Sequence, residues 1–203
     1  LFNLNVDKLK DDPAINVRQS YANAASIMIH HLKGTMATNL FSSISMLAND
    51  SSYSVCSEVP TFLIEYMKTA GNAEKILEVG DKLLASDNWR VRCIYIASLS
   101  AIFENQDVDF NSIYNIINQA SNDSENEVQT AGAEALPLLA KHFEKGDEND
   151  NKVQALLEHF LGSNCPHVKT SAATTLPDFV GFCLQCSFAI DKRSISRSQN
   201  YCN

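Results

Sequence analysis

Two short patterns in the sequence consist of metal-binding residue types, Cys183-Leu184-Gln185-Cys186 and His30-His31. A zinc site takes four ligands, so a cysteine pair needs a second pair or two spaced histidines, and the sequence offers neither. Neighbouring residues on an α-helix point about 100° apart, so the two histidines cannot share one ligand. We therefore expect no metal site. The thiols are assigned to a terminal helix, and the histidines to a helix end, where a cation interacts favourably with the helix dipole.

Composition excludes several classes of protein. The chain has 203 residues and a net charge of −8, with 16 Lys and Arg dispersed along it, whereas nucleic-acid binding draws on a basic surface. No run of 18 apolar residues occurs, and the segment Leu1 to Asn5 lacks the basic region and cleavage site of a signal peptide. No phosphate-binding glycine loop, nucleophile elbow or zinc-protease pattern is present. The sequence predicts a cytoplasmic protein, with the nucleus as a second location, that has no catalytic residues, no cofactor and no nucleic-acid or membrane partner.

One pattern recurs along the chain with the period of a helical hairpin. In Ser86-Asp87-Asn88-Trp89-Arg90-Val91-Arg92 an Asp precedes a Val that is followed by a basic residue. With Val91 as the anchor, equivalent valines are separated by 38, 36, 37 and 40 residues, at Val17, Val55, Val128 and Val168. This period is typical of an all-α solenoid, in which each repeat contacts only its neighbours.

The residues around each anchor repeat as well. The position eight residues later is apolar in every copy: Ala25, Leu63, Leu99, Leu136 and Leu176. The position twelve residues later is also apolar: Ile29, Met67, Phe103, Ala140 and Val180. Positions four apart lie on one face of an α-helix, so each anchor should open a second helix with a buried stripe. Four or five residues before each anchor stands a residue suited to cap that helix: Asp12, Asp50, Asp87, Asp123 and Asn164.

These patterns predict five hairpins, at about 1–34, 35–71, 72–106, 107–146 and 147–186. Gly34 is expected to close the second helix of the first hairpin in a left-handed conformation. Residues 187–203 are polar and lack the pattern, so they are expected to form a disordered tail. The repeat pattern has no polar cap at either end, which predicts a segment of a longer solenoid. The residues that indicate this are Leu1, Leu4 and Leu9 at the start and Phe179, Val180 and Phe182 at the end.

Three prolines fall within the second helices. Pro137 and Pro177 both lie nine residues after their anchors, and Pro60 lies five residues after its own. An internal proline removes a backbone hydrogen bond and bends the helix. We therefore expect the second helices to be bent.

Helical hairpins with this period, in which Asp precedes a Val-Arg or Val-Lys pair, resemble HEAT repeats. Residues 85–180 are also similar to the scaffold (A) regulatory subunit of protein phosphatase 2A. The similarity is carried by Asp87-Asn88-Trp89-Arg90-Val91-Arg92, Asn126-Glu127-Val128-Gln129 and Pro166-His167-Val168-Lys169-Thr170-Ser171. Cys56 and Gln129 replace the basic residue that usually follows the anchor, so a continuous ladder of Asp and Arg between repeats is not expected.

The resemblance implies a non-catalytic scaffold of a serine/threonine phosphatase complex. In that family the loops within the repeats form one ridge that grips the phosphatase catalytic subunit and the regulatory B-type subunits. The matching positions, here called the loop ridge, are Asn16, Ser52, Tyr53, Asn88, Trp89, Arg90, Asn126, Glu127, Pro166 and His167.

Trp89 and Arg90 are the strongest candidates for partner contacts, since large amphipathic side chains dominate interface energies. An equal alternative is that Trp89 packs on the neighbouring hairpin. For Arg18, Arg92 and Lys169 an ion pair with an Asp of the adjacent repeat is favoured over partner binding.

A second function remains open. A different HEAT adaptor, such as a nuclear-transport receptor, would bind protein cargo on its concave face through acidic and aromatic residues of the inner helices. The position of the binding residues, on the loop ridge or on that face, discriminates between the two.

Overall fold

The computed structural model describes residues 6–103, 108–140 and 148–179. All regular structure in these ranges is helical, which confirms the predicted all-α class. The α-helices are α1 Ile15–Met28, α2 Thr35–Leu47, α3 Tyr53–Cys56, α4 Val59–Ala70, α5 Ala73–Leu84, α6 Trp89–Ile102, α7 Phe110–Ser121, α8 Asn126–Ala135, α9 Pro137–Ala140, α10 Glu148–Gly162 and α11 Pro166–Thr175. Short 3₁₀ helices span Val6–Asp11, Ile29–His31 and Leu176–Phe179. The predictions for Leu1, Leu4, Val180, Phe182, the Cys183 pair and the 187–203 tail lie outside the described residues.

The helices that begin near the anchors pack on one another in chain order. Helix α1 packs against α4, α4 against α6, α6 against α8, and α8 against α11. Helices α4, α6, α8 and α11 also contact the first helix of their own hairpin, with α2 against α4, α5 against α6, α7 against α8 and α10 against α11. The predicted apolar stripe is buried at these contacts, since Ala25, Leu63, Leu99 and Leu136 are almost fully inaccessible and Leu176 is partly so. Burial of this stripe is the main favourable term that holds neighbouring hairpins together.

The second helices are interrupted at the three prolines. Helix α8 ends at Ala135 and α9 begins at Pro137. Pro60 is the second residue of α4, and Pro177 is the second residue of the 3₁₀ helix that follows α11. A proline in a first turn loses no helical hydrogen bond, because that N–H has no partner within the helix. Where bends were expected, the structure shows breaks, each followed by a new helical segment.

The predicted capping role of the Asp residues is wrong. The N-caps stand one or two residues later, at Ala14, Ser52, Asn88, Glu125 and Cys165. The carboxylates of Asp50 and Asp123 instead accept hydrogen bonds from the backbone N–H of the cap residues, at 2.8 and 3.0 Å. A side chain so placed closes a turn before the helix, as Asp residues often do, and does not reach the helical N–H groups. Of these five helix starts only that of α6 has a side-chain cap, where Asn88 Oδ1 accepts from Arg90 N at 3.1 Å.

Two helix ends differ in detail from expectation. Gly34 has the expected positive φ of 56°, a value that favours glycine, but it stands at the N-cap of α2 and does not close the preceding helix. That helix ends through His30 and His31, as predicted. His30 Nε2 also lies 2.8 Å from Glu65 Oε2 of the next hairpin, a contact that the sequence pattern did not indicate.

Candidate partner-binding ridge

The ten loop-ridge residues occupy equivalent places in successive hairpins. Each is the N-cap or one of the first two residues of a helix that begins near an anchor, in α1, α3, α6, α8 or α11. Seven are exposed: Asn16, Tyr53, Arg90, Asn126, Glu127, Pro166 and His167. Ser52, Asn88 and Trp89 are partly buried. The proposed register therefore places a polar side chain at the start of every second helix, with an aromatic one beside it in α3 and α6.

Trp89 and Arg90 form a local pair at the start of α6. The Arg90 guanidinium carbon lies 4.5 Å from the centre of the Trp89 ring, within the range of a cation–π interaction. The Trp89 side chain also packs against the hydrophobic core, whereas Arg90 is exposed. Trp89 thus packs against the core and also stacks with the exposed Arg90. Packing within the fold and contact with a partner are therefore compatible roles for this residue.

Arg18 and Arg92 join neighbouring hairpins through twofold ion pairs. Arg18 donates to Asp50 at 2.6 and 3.0 Å, and Arg92 donates to Asp123 at 2.7 and 2.8 Å. Two parallel bonds of this kind are stronger and more directional than a single one. The structural interpretation of both arginines is confirmed. Lys169 is exposed and forms no ion pair with any described residue.

The ladder of ion pairs is interrupted where the sequence departs from the usual pattern. Cys56 Sγ donates to Asp50 O at 3.0 Å, and Gln129 Nε2 donates to Asp123 O at 2.7 Å. Arg18 and Arg92 make the equivalent bond, each to the backbone carbonyl six residues before it in the chain. Among the described residues, neither Cys56 nor Gln129 is paired with a carboxylate of the next hairpin. Within the described ranges the Arg–Asp pairs therefore join the first hairpin to the second and the third to the fourth.

The two paired carboxylates are held in their charged form. Hydrogen bonds from Arg18 lower the pKa of Asp50, against the opposing effect of burial. Burial acts to raise the pKa of Asp123, but the hydrogen bonds from Arg92 and from the backbone N–H of Glu125 outweigh it, so that pKa is also lowered. A carboxylate with a lowered folded-state pKa stabilises the fold above its unfolded pKa, and this contribution is lost as the pH falls through the folded value.

The Asp123→Asn variant is expected to be less stable than the parent at pH 7 by about 1–2 kcal/mol, because two charged hydrogen bonds are weakened. The difference should begin to shrink below about pH 4, where Asp123 of the unfolded parent becomes protonated, and should disappear only below the lowered pKa of the folded carboxylate. Urea denaturation followed by circular dichroism at pH 7, 5 and 3 measures both effects. Asp87→Asn is the matched control, since Asp87 is exposed and its side chain accepts no hydrogen bond from the described residues. A difference that does not change with pH would contradict the assignment.

A groove of about 430 Å³ lies between α6, α8 and α11 beside the loop ridge. Its described lining residues are Cys93, Ala97, Asn126, Glu127, Thr130, Ala131, Glu134, Cys165, His167, Thr170 and Ser171. The ridge residues Asn126, Glu127 and His167 come together in this lining, whereas the other seven do not. The groove therefore lies at the border between the loop ridge and the face formed by the second helices.

Sequence reasoning missed this groove because its walls come from three hairpins. A usable signal does exist in the repeat alignment. The position two residues after the anchor is small in the last three hairpins, where it is Cys93, Thr130 and Thr170. Small side chains at one position of adjacent packed helices leave a depression between them.

The described residues contain neither a metal-binding cluster nor a membrane-spanning helix. No cluster of three or more His, Cys, Asp or Glu in these residues could hold a metal ion. None of the described helices combines the length and the apolar character needed to cross a membrane.

Comparison with known proteins gives information about the fold but none about the function. No protein family and no curated protein matches the chain. The crystal structure of an engineered protein is similar, with a TM-score of 0.52 and 17% identity over 86% of this chain and 77% of that one. A second engineered protein gives a TM-score of 0.41 and 15% identity over 87% of this chain and 98% of that one. The first likeness shows that this arrangement of helices is shared with a solved structure, and at such identity it shows the fold alone.

Proposed function

We propose that the protein is a non-catalytic scaffold subunit that organises a protein phosphatase 2A-type complex, in the cytoplasm or the nucleus. Its loop ridge would hold the phosphatase catalytic subunit or a regulatory B-type subunit, and its hairpins would form a HEAT-type α-solenoid. The supporting observation is that all ten ridge positions recur at the starts of second helices packed in chain order. Such a row presents one set of side chains along one edge, as a surface that grips an extended partner requires.

The Trp89–Arg90 pair has the properties of an interface anchor. Tryptophan and arginine are enriched among residues that contribute most to binding. The contact of Trp89 with the core and its position under Arg90 restrict both side chains before a partner arrives, so less conformational entropy is lost on binding. The ridge residues Asn126, Glu127 and His167 of the next two hairpins are exposed as well, and polar residues of this kind form the rim of protein interfaces.

Replacing Trp89 or Arg90 with Ala is expected to weaken partner binding by about 1–3 kcal/mol each, the usual span for interface anchors. The measurement is affinity capture from a cell lysate with quantitative mass spectrometry of retained phosphatase subunits, beside a thermal melt of each variant. Arg90→Ala should leave the melting temperature unchanged, because Arg90 is exposed. Lys33→Ala is the control for loss of one exposed cation outside the ridge.

Two outcomes would contradict the proposal. If a stably folded double variant captures phosphatase subunits as well as the parent does, the ridge is not the binding surface, and the adaptor with cargo on its concave face becomes the better hypothesis. If binding by Trp89→Ala falls only in proportion to its loss of folded protein, while Arg90→Ala binds normally, Trp89 is a packing residue.

A further inference from the structure

The groove between α6, α8 and α11 combines small side chains with acidic ones. Cys93, Ala97, Ala131 and Cys165 form apolar parts of its lining, and two carboxylates stand among them. The described lining contains no Lys or Arg. Its volume of about 430 Å³ lies within the usual range of binding clefts, roughly 300–1,000 Å³.

The two carboxylates, Glu127 and Glu134, lie on the same face of α8. They are seven residues apart, which is close to two helical turns and about 10 Å along the axis. Both are exposed. Ser171 Oγ donates to Glu134 Oε1 at 3.1 Å, which ties that carboxylate to α11 and fixes its position at the groove wall.

The pKa of the Cys93 thiol reflects both its burial and the negative charge around this groove. Burial raises the pKa of Cys93, and the charges of Glu127 and Glu134 raise it further. Both carboxylates therefore act at the groove wall and favour a cation there. No Lys or Arg in the described lining offsets this potential, and His167 is its one basic side chain.

The spacing of the carboxylates matches one type of occupant. In an extended polyproline-II segment, residues i and i+3 point to the same side and lie about 9 Å apart. Lys or Arg at these two positions would reach both carboxylates at once. The residues between them should be small, because a groove of about 430 Å³ has little room beyond the two basic side chains.

We propose that this groove binds an extended segment of a partner protein, with basic residues three positions apart and small residues between them. The inference rests on the proposed scaffold function, since Asn126, Glu127 and His167 belong to both groove and loop ridge. A partner held on the ridge would insert this segment beside α8.

The direct test uses a fluorescent peptide, acetyl-Gly-Ala-Arg-Ala-Ser-Arg-Ala-Gly-amide, and a control peptide in which both arginines are replaced by neutral citrulline. Anisotropy titration of the full chain should show binding of the first peptide and about four- to 25-fold weaker binding of the second, since both ion pairs are lost. Glu127→Gln and Glu134→Gln should each weaken binding about two- to fivefold, as expected for partly solvated ion pairs. Glu78→Gln, on an exposed position of α5 outside the groove, should have no effect.

Steric blocking tests the location independently of charge. Ala97 is exposed and lines the groove, and Ala101 is exposed on the same helix outside the described lining. Ala97→Phe should lower affinity for the arginine peptide at least tenfold, while Ala101→Phe should not change it. Bound peptide should also slow alkylation of Cys93 and Cys165 by iodoacetamide, as read by peptide-mapping mass spectrometry.

Equal binding of both peptides, or unchanged binding by Ala97→Phe, overturns the inference. A second outcome would also overturn the inference. In it, Cys93 and Cys165 are alkylated slowly without peptide, and replacing Lys192, Arg193 and Arg197 with Gln speeds the alkylation. The groove would then be occupied by the chain's own basic segment. Arg90→Ala separates this inference from the proposed function, because it should reduce phosphatase capture and leave peptide binding intact. Peptide binding without phosphatase capture would contradict the scaffold function alone.

Discussion

Leu136→Ala is expected to lower the free energy of unfolding by about 2–5 kcal/mol, the span found for leucine truncations that leave a cavity. Leu136 is fully buried and lies between α8 and α9, where the helix is interrupted before Pro137. It belongs to the apolar stripe eight residues after each anchor. Urea denaturation monitored by circular dichroism provides the measurement.

Leu9→Ala serves as the control for this substitution. Leu9 is 39% exposed, so its truncation removes less buried surface and should cost clearly less. If Leu136→Ala were as mild as Leu9→Ala, the register that assigns Leu136 to the core would be wrong.

Gly80→Ala is expected to cost about 3 kcal/mol, toward the upper end of the range for overpacked cores. A Cβ atom at Gly80 would overlap the ring and hydroxyl of Tyr95 from the next helix. Tyr95 is fully buried, so its ring has no free space into which to move. Its hydroxyl has no hydrogen-bond partner among the described residues, which shows that close packing around Gly80, and not a polar contact, sets its position.

Thermal and urea denaturation of Gly80→Ala should be compared with Gly162→Ala. A Cβ atom at Gly162 meets no atom within 4 Å, so that variant should be neutral or slightly more stable, since alanine loses less backbone entropy than glycine in a helix. Adding Tyr95→Leu to Gly80→Ala should recover part of the loss, because neighbouring substitutions are not additive. A freely tolerated Gly80→Ala would mean that α5 and α6 do not approach at this point.

Much of the fold could be predicted because the hydrophobic stripe has the period of a helix and the anchors have the period of a hairpin. Each α-helical starting position near Val17, Val91, Val128 and Val168 follows from these two periods. The exact caps could not be predicted, because an Asp four or five residues before a valine suits both a helix cap and a turn before the helix. Asp50 and Asp123 form the turn, while each also binds an arginine of the preceding hairpin.

Only those parts of the candidate site that depend on residues close in sequence could be predicted. The ridge positions follow from the repeat register, and the pairing of Arg18 and Arg92 follows from their charge and place. The groove is different, because Ala97, Glu134 and Ser171 come from three helices and meet only after the hairpins pack. The stacking of Arg90 on Trp89 depends on side-chain rotamers that residue types alone do not determine.

The alternation of Arg–Asp pairs implies uneven stiffness along the row of hairpins. A twofold ion pair resists sliding and tilting of one hairpin on the next, because either movement stretches two bonds together. The junctions where Cys56 and Gln129 replace arginine lack this twofold restraint. They rely mainly on apolar contacts, which are non-directional, with single hydrogen bonds such as that from Ser171 to Glu134. Under mechanical load from a bound partner, the first and second hairpins should move as one block and the third and fourth as another. Bending should concentrate at the junction between these blocks and at the junction that precedes the fifth hairpin.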